Sequence, residues 1–331
     1  MATPLACVDS TVAPRALLDT VKDSYSINEP AICELIQRHL DATYSISSGS
    51  ERLIARLYNA RWWCREEVEG EVTVLRHLAA RAVRVAAPIQ RNDGGWVTTV
   101  LAPEGERQLV VYEYLEGEGL LLSRDAGSFG ELVGRLHRAL ADCALVQPRR
   151  ELSARRLTMD SFDTIVAPLG EPNEHREYLE ALRVRVQTRA REVGLATFRE
   201  GLCHGDLNVS NAVRQADGHI GLYDFETCGR GILAYDLAVF RWAQRLVGAP
   251  EPTWHDFLEG YRRSNELPER ELAAMDFLVL LRQLYMLEHD ARRTQIESLG
   301  SRWRRVRRTA PLDALRRLDA QLFGTQAVQS W

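Results

Sequence analysis

The side chains best suited to chemistry are concentrated in one segment, HGDLNVSNAVRQADGHIGLYDFE, running from His204 to Glu226. His204, Asp206 and Asn211 stand as H-x-D-x-x-x-x-N, and Asp224 opens D-F-E thirteen positions after Asn211. Phosphoryl transfer asks for a positioned hydroxyl, a carboxylate that orients it and accepts its proton, and cations that neutralise phosphate charge. Asp206 suits the carboxylate role. Asn211 offers Mg²⁺ a neutral amide oxygen, and Asp224 offers a stronger anionic one. His204 is suited to bracing the loop rather than to moving a proton. Apolar runs on either side of Asp217-Gly218 read as a hairpin, which would bring the two ends of the segment together.

The H-x-D-x-x-x-x-N spacing followed by D-F is the protein-kinase catalytic arrangement, with Gly205 where that arrangement has arginine. On HGDLNVSN, LYDFETCGRG and AYDLAVFRW the chain resembles the aminoglycoside phosphotransferase and choline kinase superfamily, over about residues 30–290. YSISSGSERLIARLYN and EGEVTVLRHLAARAVRVAAPI are similar in pattern to the branch of type II homoserine kinases and stress-response kinases. The resemblance implies a bilobal, protein-kinase-like α+β fold: a small N-lobe of antiparallel sheet plus a helix, and a larger, mainly helical C-lobe. It implies ATP and Mg²⁺ as cofactors and a hydroxyl on an antibiotic, amino alcohol, hydroxy amino acid or nucleoside as acceptor. By the same resemblance Asp236 braces the catalytic loop. Arg56 takes the place of a phosphate-contacting lysine, paired with Glu71 on a helix. VVYEYLEGE resembles the connector against which adenine packs, with backbone groups of Glu113 and Leu115 as its hydrogen-bond partners.

These residues need elements to hold them. Strand-like runs at 31–38, 43–48 and 52–58 suggest an antiparallel sheet, and Ile54, Arg56 and Tyr58 share one face of the third. The turn between the last two contains Ser48 and Gly49, which are candidates for approaching phosphates as well as for a plain hairpin turn. Helical spacing follows at 65–80, then two strands around Gly94-Gly95, WVTTVL and QLVVYEYL. The run Glu116-Gly117-Glu118-Gly119 marks a lobe boundary. The expected division is an extension at 1–30, a nucleotide-binding lobe at 31–116 and a catalytic and acceptor-binding lobe at 117–331. Helices are expected at 129–141, carrying His137 as a packed or solvent-facing residue, and at 174–193, 232–247, 253–263 and 270–290. Asp160, Asp163, Glu226, Glu259, Glu288 and Asp290 are acidic candidates for the acceptor site. Trp62 and Trp63 are read as covering the small lobe or packing a lid. The arginines between 292 and 308 are read as a solvated helical face or a closure of the C-terminal lobe.

With 331 residues, 45% of them apolar and 27% charged, the chain can bury a large core and is too apolar to be disordered. No apolar run approaches the roughly 20 residues of a membrane span. A net charge of −4 argues against general nucleic-acid binding, and six scattered cysteines without a CxxC pair fit a reducing cytoplasm. A soluble monomer or homodimer acting on a small molecule is the expectation. A serine/threonine protein kinase, or a nucleotide-binding regulatory protein of weak activity, is the alternative.

Overall fold

The computed structural model describes residues 7–145, 147, 149–169, 174–296 and 301–324; for Ile296 and residues 301–309 it describes the backbone only. The chain divides into two compact units, each built from discontinuous segments.

The first unit runs through Gly119 and takes in Asp142–Arg149 and Ala212–Glu226. Its centre is a five-stranded antiparallel sheet in the order β1-β2-β3-β5-β4, formed by β1 (Ala31–Arg38), β2 (Ala42–Ser48), β3 (Glu51–Leu57), β4 (Thr98–Ala102) and β5 (Gly105–Glu113). Helix α1 (Pro14–Ser24) starts with proline in its first turn, where the missing N–H costs nothing, and buries Leu17, Leu18 and Val21 against Tyr44, Ile46, Ala55 and Val111 of the sheet. The segment set apart as an extension thus helps to build the small unit's core. Helix α2 (Arg65–Ala80) buries Val68, Val72, Leu75 and Leu78 at helical spacing. Trp62 and Trp63, just before it, are buried. The β4–β5 turn falls at Pro103-Glu104, whereas Gly94-Gly95 lies in the loop before β4.

A second sheet in this unit, β6-β8-β9, joins β6 (Glu118–Gly119) to the hairpin of β8 (Ala212–Arg214) and β9 (Ile220–Leu222). Leu222 donates to the Arg84 carbonyl and accepts from Ala86, which ties the hairpin to the segment after α2. That pairing is why residues 212–226 return to the small unit, a division that a linear cut at residue 116 does not give.

The second unit is mainly helical: α3 (Leu122–Leu140), α4 (Ser161–Val166), α5 (Glu174–Glu192), α6 (Leu233–Leu246), α7 (Glu251–Ser264), α8 (Glu269–Ala273), α9 (Met275–Ile296) and α10 (Ser301–Phe323). A short antiparallel pair, β7 (Glu200–Cys203) with β10 (Gly229–Ile232), carries the catalytic-motif loop between its strands and helices. Phe129, Phe240 and Phe257 fill the core where α3, α6 and α7 meet, the last two rings stacked at 3.9 Å. Full burial of each such side chain contributes roughly 1.5–3 kcal/mol. Helices α3 and α7 approach so closely that a Cβ at Gly130 would lie 2.0 Å from the Phe257 carbonyl oxygen. Arg185 on α5 grips Asp319 on α10 with two hydrogen bonds, at 3.0 and 2.8 Å. No helix among the described residues is long and apolar enough to cross a membrane. The side chains of Arg302, Arg304, Arg305, Arg307 and Arg308 lie outside the described residues, so the basic-face expectation is not addressed there.

Candidate active site

In the small unit, Arg56 on β3 is the centre of a charged cluster. Its guanidinium donates to Asp224 Oδ1 at 2.9 Å, to Asp41 Oδ2 at 3.2 Å and, through a short contact, to Glu226. Asp41 and Arg56 are nearly buried, whereas the Asp224 side chain keeps 34% of its surface exposed and so remains open to a ligand. Asp224 has φ 65°, in the left-handed region that aspartate tolerates better than most residues. Burial pushes the carboxyls of Asp41, Glu71 and Glu226 above their usual range, Arg56 opposes the rise at all three and Arg149 also opposes it at Glu71, and the carboxylates crowd one another. The cluster therefore has more carboxylates than cations to balance them, and it would gain from another positive charge.

Glu71, expected to pair with Arg56, faces a different arginine. Its Oε2 lies 3.8 Å from Arg149, which also donates to the carbonyls of Glu67, Phe225 and Glu226. Glu71 Oε2 is buried without a hydrogen bond among the described residues. The physical reason for the change of partner is competition: Asp41, Asp224 and Glu226 already occupy the Arg56 donors.

A cavity of about 320 Å³ opens beside this cluster, lined by Ile54, Arg56, Glu71, Ala86, Glu113, Leu115, Val213 and Asp224 among others. Apolar walls with a few polar groups at one end suit a base joined to phosphates. At Glu113 the β3–β5 register gives a non-hydrogen-bonded pair with Leu53, because Tyr58 donates to Gln108 across the same ladder. The Glu113 carbonyl therefore turns away from β3, on the side where its own N–H already reaches Ala87. Ser48 and Gly49 are not brought here. Arg56 pairs with Thr43, and Ser48 pairs with Glu51, so the Gly49 turn stands at the opposite end of the β2–β3 hairpin, roughly 16 Å along the strand. The Ser48 hydroxyl donates to the Asn28 carbonyl at 2.6 Å. The turn at the Arg56 end is residues 39–41, which supplies Asp41.

In the helical unit, Asp236 near the start of α6 accepts the backbone N–H groups of His204 and Gly205, each at 2.8 Å, and the Nε2–H of His137 at 3.0 Å. His204 is buried and its Nδ1 accepts from the Asp206 backbone at 3.3 Å. Gly205 has φ 82°, and a Cβ there would lie 2.5 Å from the Thr227 carbonyl oxygen, so arginine cannot take this position. Asp206 is held on both oxygens: Arg282 of α9 donates to Oδ1, and Asn211 Nδ2 donates to Oδ2 at 2.9 Å. Arg282 also donates to the Gly205 carbonyl at 3.1 Å. Burial works to raise the Asp206 pKa, but Arg282, His204 and Asn211 outweigh it and hold the carboxyl below its usual range.

Both predicted metal ligands have oxygen to offer. Asn211 uses its amide nitrogen on Asp206, which leaves Oδ1 to accept or ligate, and Asp224 uses Oδ1 on Arg56, which leaves Oδ2. Among the described residues no three His, Cys, Asp or Glu side chains converge as a ready-made metal cage. Each of the two oxygens is the kind of hard donor that Mg²⁺ takes, one or two protein ligands sufficing where substrate phosphates supply others. Sequence reasoning missed Asp41, Arg149 and Arg282, and it left His137 without a task.

A family model described as "Phosphotransferase enzyme family" matches residues 33–278. An uncharacterized protein of Deinococcus radiodurans is 36% identical over 285 residues, covering 84% of this chain and 82% of its own. A homoserine kinase of Rhizobium etli is 26% identical over 248 residues, covering 72% and 73%. Among solved structures, a microcompartment-associated aminopropanol kinase superposes with a TM-score of 0.72 at 20% identity, covering 96% of this chain and 100% of that one. This last likeness is one of fold.

Proposed function

Since its match to the family model over residues 33–278 means that this chain belongs to the phosphotransferase enzyme family, we propose that it transfers the γ-phosphoryl group of ATP to a hydroxyl of a small molecule. Amino alcohols and hydroxy amino acids are the first acceptors to consider, because an aminopropanol kinase and a homoserine kinase stand among the similar proteins. The observation that carries the reading is the Asp206 carboxylate, ionised by Arg282 and fixed by Asn211 on a loop clamped by Asp236.

In this reading Asp206 accepts a hydrogen bond from the acceptor hydroxyl and aims its lone pair at phosphorus. A carboxylate held below its usual pKa is a weak base, so it takes the proton late, as the new O–P bond forms. The cavity beside Glu113 and Leu115 takes the adenine, with the Glu113 carbonyl accepting from the exocyclic amine. Arg56 contacts the phosphates through the second N–H that each terminal nitrogen of its permanently charged guanidinium keeps beyond Asp224 and Glu226. Asn211 Oδ1 and Asp224 Oδ2 would hold Mg²⁺, which when bound supplies charge neutralisation on the phosphates.

The test is ATP consumption across amino alcohols, hydroxy amino acids, nucleosides, aminoglycosides and peptides, with mass identification of the product. A single phosphoryl addition to a small acceptor is expected. Peptide phosphorylation with no small acceptor used, or no acceptor-dependent ATP consumption at all, would sink the proposal.

A further inference from the structure

Helix α9 presents Arg282, Tyr285, His289 and Arg293 at spacings of three, four and four residues, so all four share one face. The stripe begins at Asp206, which Arg282 holds. The Arg282 guanidinium carbon lies 5.8 Å from the Tyr285 ring. The Tyr285 side chain is only 4% exposed, and its hydroxyl makes no hydrogen bond among the described residues. A buried hydroxyl left in this way destabilises the fold, and an incoming acceptor atom would recover the lost bond. Arg150 arrives from another direction: its backbone is pressed onto Gly229, which pairs with Cys203 immediately before the catalytic loop. Arg150, Asp206, His289 and Arg293 are only partly buried.

Arginines outnumber the carboxylate in this group. Burial and the charges of Arg150, Arg282 and Arg293, opposed by Asp206, hold the His289 pKa down to about 4, so the ring is neutral at neutral pH. Three of the acids that a polycationic acceptor could use are engaged elsewhere. Glu288 is taken by Arg156 and Ser161, Asp163 pairs with Arg183, and Glu259 faces Arg263.

We propose that the acceptor carries an oxyanion, a carboxylate in the simplest case, received by Arg150 and the Tyr285–His289–Arg293 face of α9 while its hydroxyl meets Asp206. Arginine forks match a carboxylate in plane and charge, and the Tyr285 hydroxyl donates a further bond. The inference rests on the phosphotransferase reading and narrows its acceptor.

Two matched pairs test it: L-homoserine against 3-amino-1-propanol, and 4-hydroxybutyrate against 1,4-butanediol, which differ in the carboxylate. Each is measured for kcat/KM with ATP and, separately, for binding by calorimetry without ATP. At least one carboxylate-bearing member should be preferred over its partner by about tenfold or more, as expected for a charged group meeting its counter-charge. Arg293→Gln should remove that preference by raising the acceptor KM, with the KM for ATP and the melting temperature unchanged; Arg293→Lys should restore part of it. Equal use or binding within both pairs, or no carboxylate-bearing member bound or used, overturns the proposal. Selective carboxylate binding without turnover would sustain the anion site and fault the phosphotransferase reading; turnover without carboxylate preference would do the reverse.

Discussion

Asp206 stays ionised because Arg282 and Asn211 hold it, and this sets how the site responds to substitution and to pH. Asp206→Asn should leave nucleotide affinity near normal and lower kcat by about 10³-fold, the range of a lost proton acceptor; isothermal titration with ATP alongside steady-state rates checks both halves. Arg282→Gln removes the main charge that depresses the Asp206 pKa. A depressed carboxyl is charged, and stabilises the fold, above its unfolded-state pKa, and loses that contribution as pH falls through the folded value. The variant's folded value is higher, so the acidic limb of its kcat profile should move to higher pH. An unmoved limb would separate Arg282 from the ionisation of Asp206. Asp206, Asn211 and Asp224 were legible because their types recur at a fixed spacing within one segment. Arg282, Arg149 and Asp41 were not, since each reaches its partner from a distant segment and nothing in an arginine-rich sequence marks which guanidinium will be buried.

At the scale of elements, the period-two strands and the apolar stripe of α2 were readable, because burial on one face leaves its period in the sequence. The polarity of the β2–β3 hairpin was harder. The sequence marks Ser48-Gly49 as a turn, and only the register reveals that this turn lies at the end away from Arg56. The α3–α7 contact was likewise hidden in glycines that read as weak helix formers. Gly130→Ala would ordinarily favour a helix by about 0.5–1 kcal/mol. Here the added methyl would sit 2.0 Å from a backbone oxygen, and separating two packed helices costs more than that gain. Gly130→Ala should lower the melting temperature by at least about 3 °C. Because α3 also carries His137 to Asp236, activity should fall alongside stability; a variant as stable as the parent would show that the helices can part freely.

Across the whole molecule, the chain passes between its two units five times, at residues 119, 141, 149, 211 and 226. The Glu116-Gly117-Glu118-Gly119 run suggested a linear boundary at residue 116, since linkers are visible in sequence and returning segments are not. A fragment ending at Gly119 lacks β8 and β9, and with them the Leu222 bonds to Arg84 and Ala86. Such a fragment should fail to give the sharp near-ultraviolet dichroism and cooperative melting of a packed domain, and a peptide of residues 212–226 added in trans should restore part of the signal. A cooperative transition in the fragment alone would show that the returning hairpin is dispensable.

That same return gives the chain a timetable during synthesis. More than a hundred residues separate Gly119 from Glu226, so at 5–20 residues per second the small unit waits roughly 5–20 s for its last strands to leave the ribosome. During that interval β6 and the segment after α2 lack their partners in the β8–β9 hairpin, and the cavity beside Arg56 lacks Val213. The nascent protein is therefore open to mispairing beside the cavity proposed for the nucleotide. The segment that supplies these partners also delivers Asp224, so the small unit completes its fold and its share of the proposed site in one step.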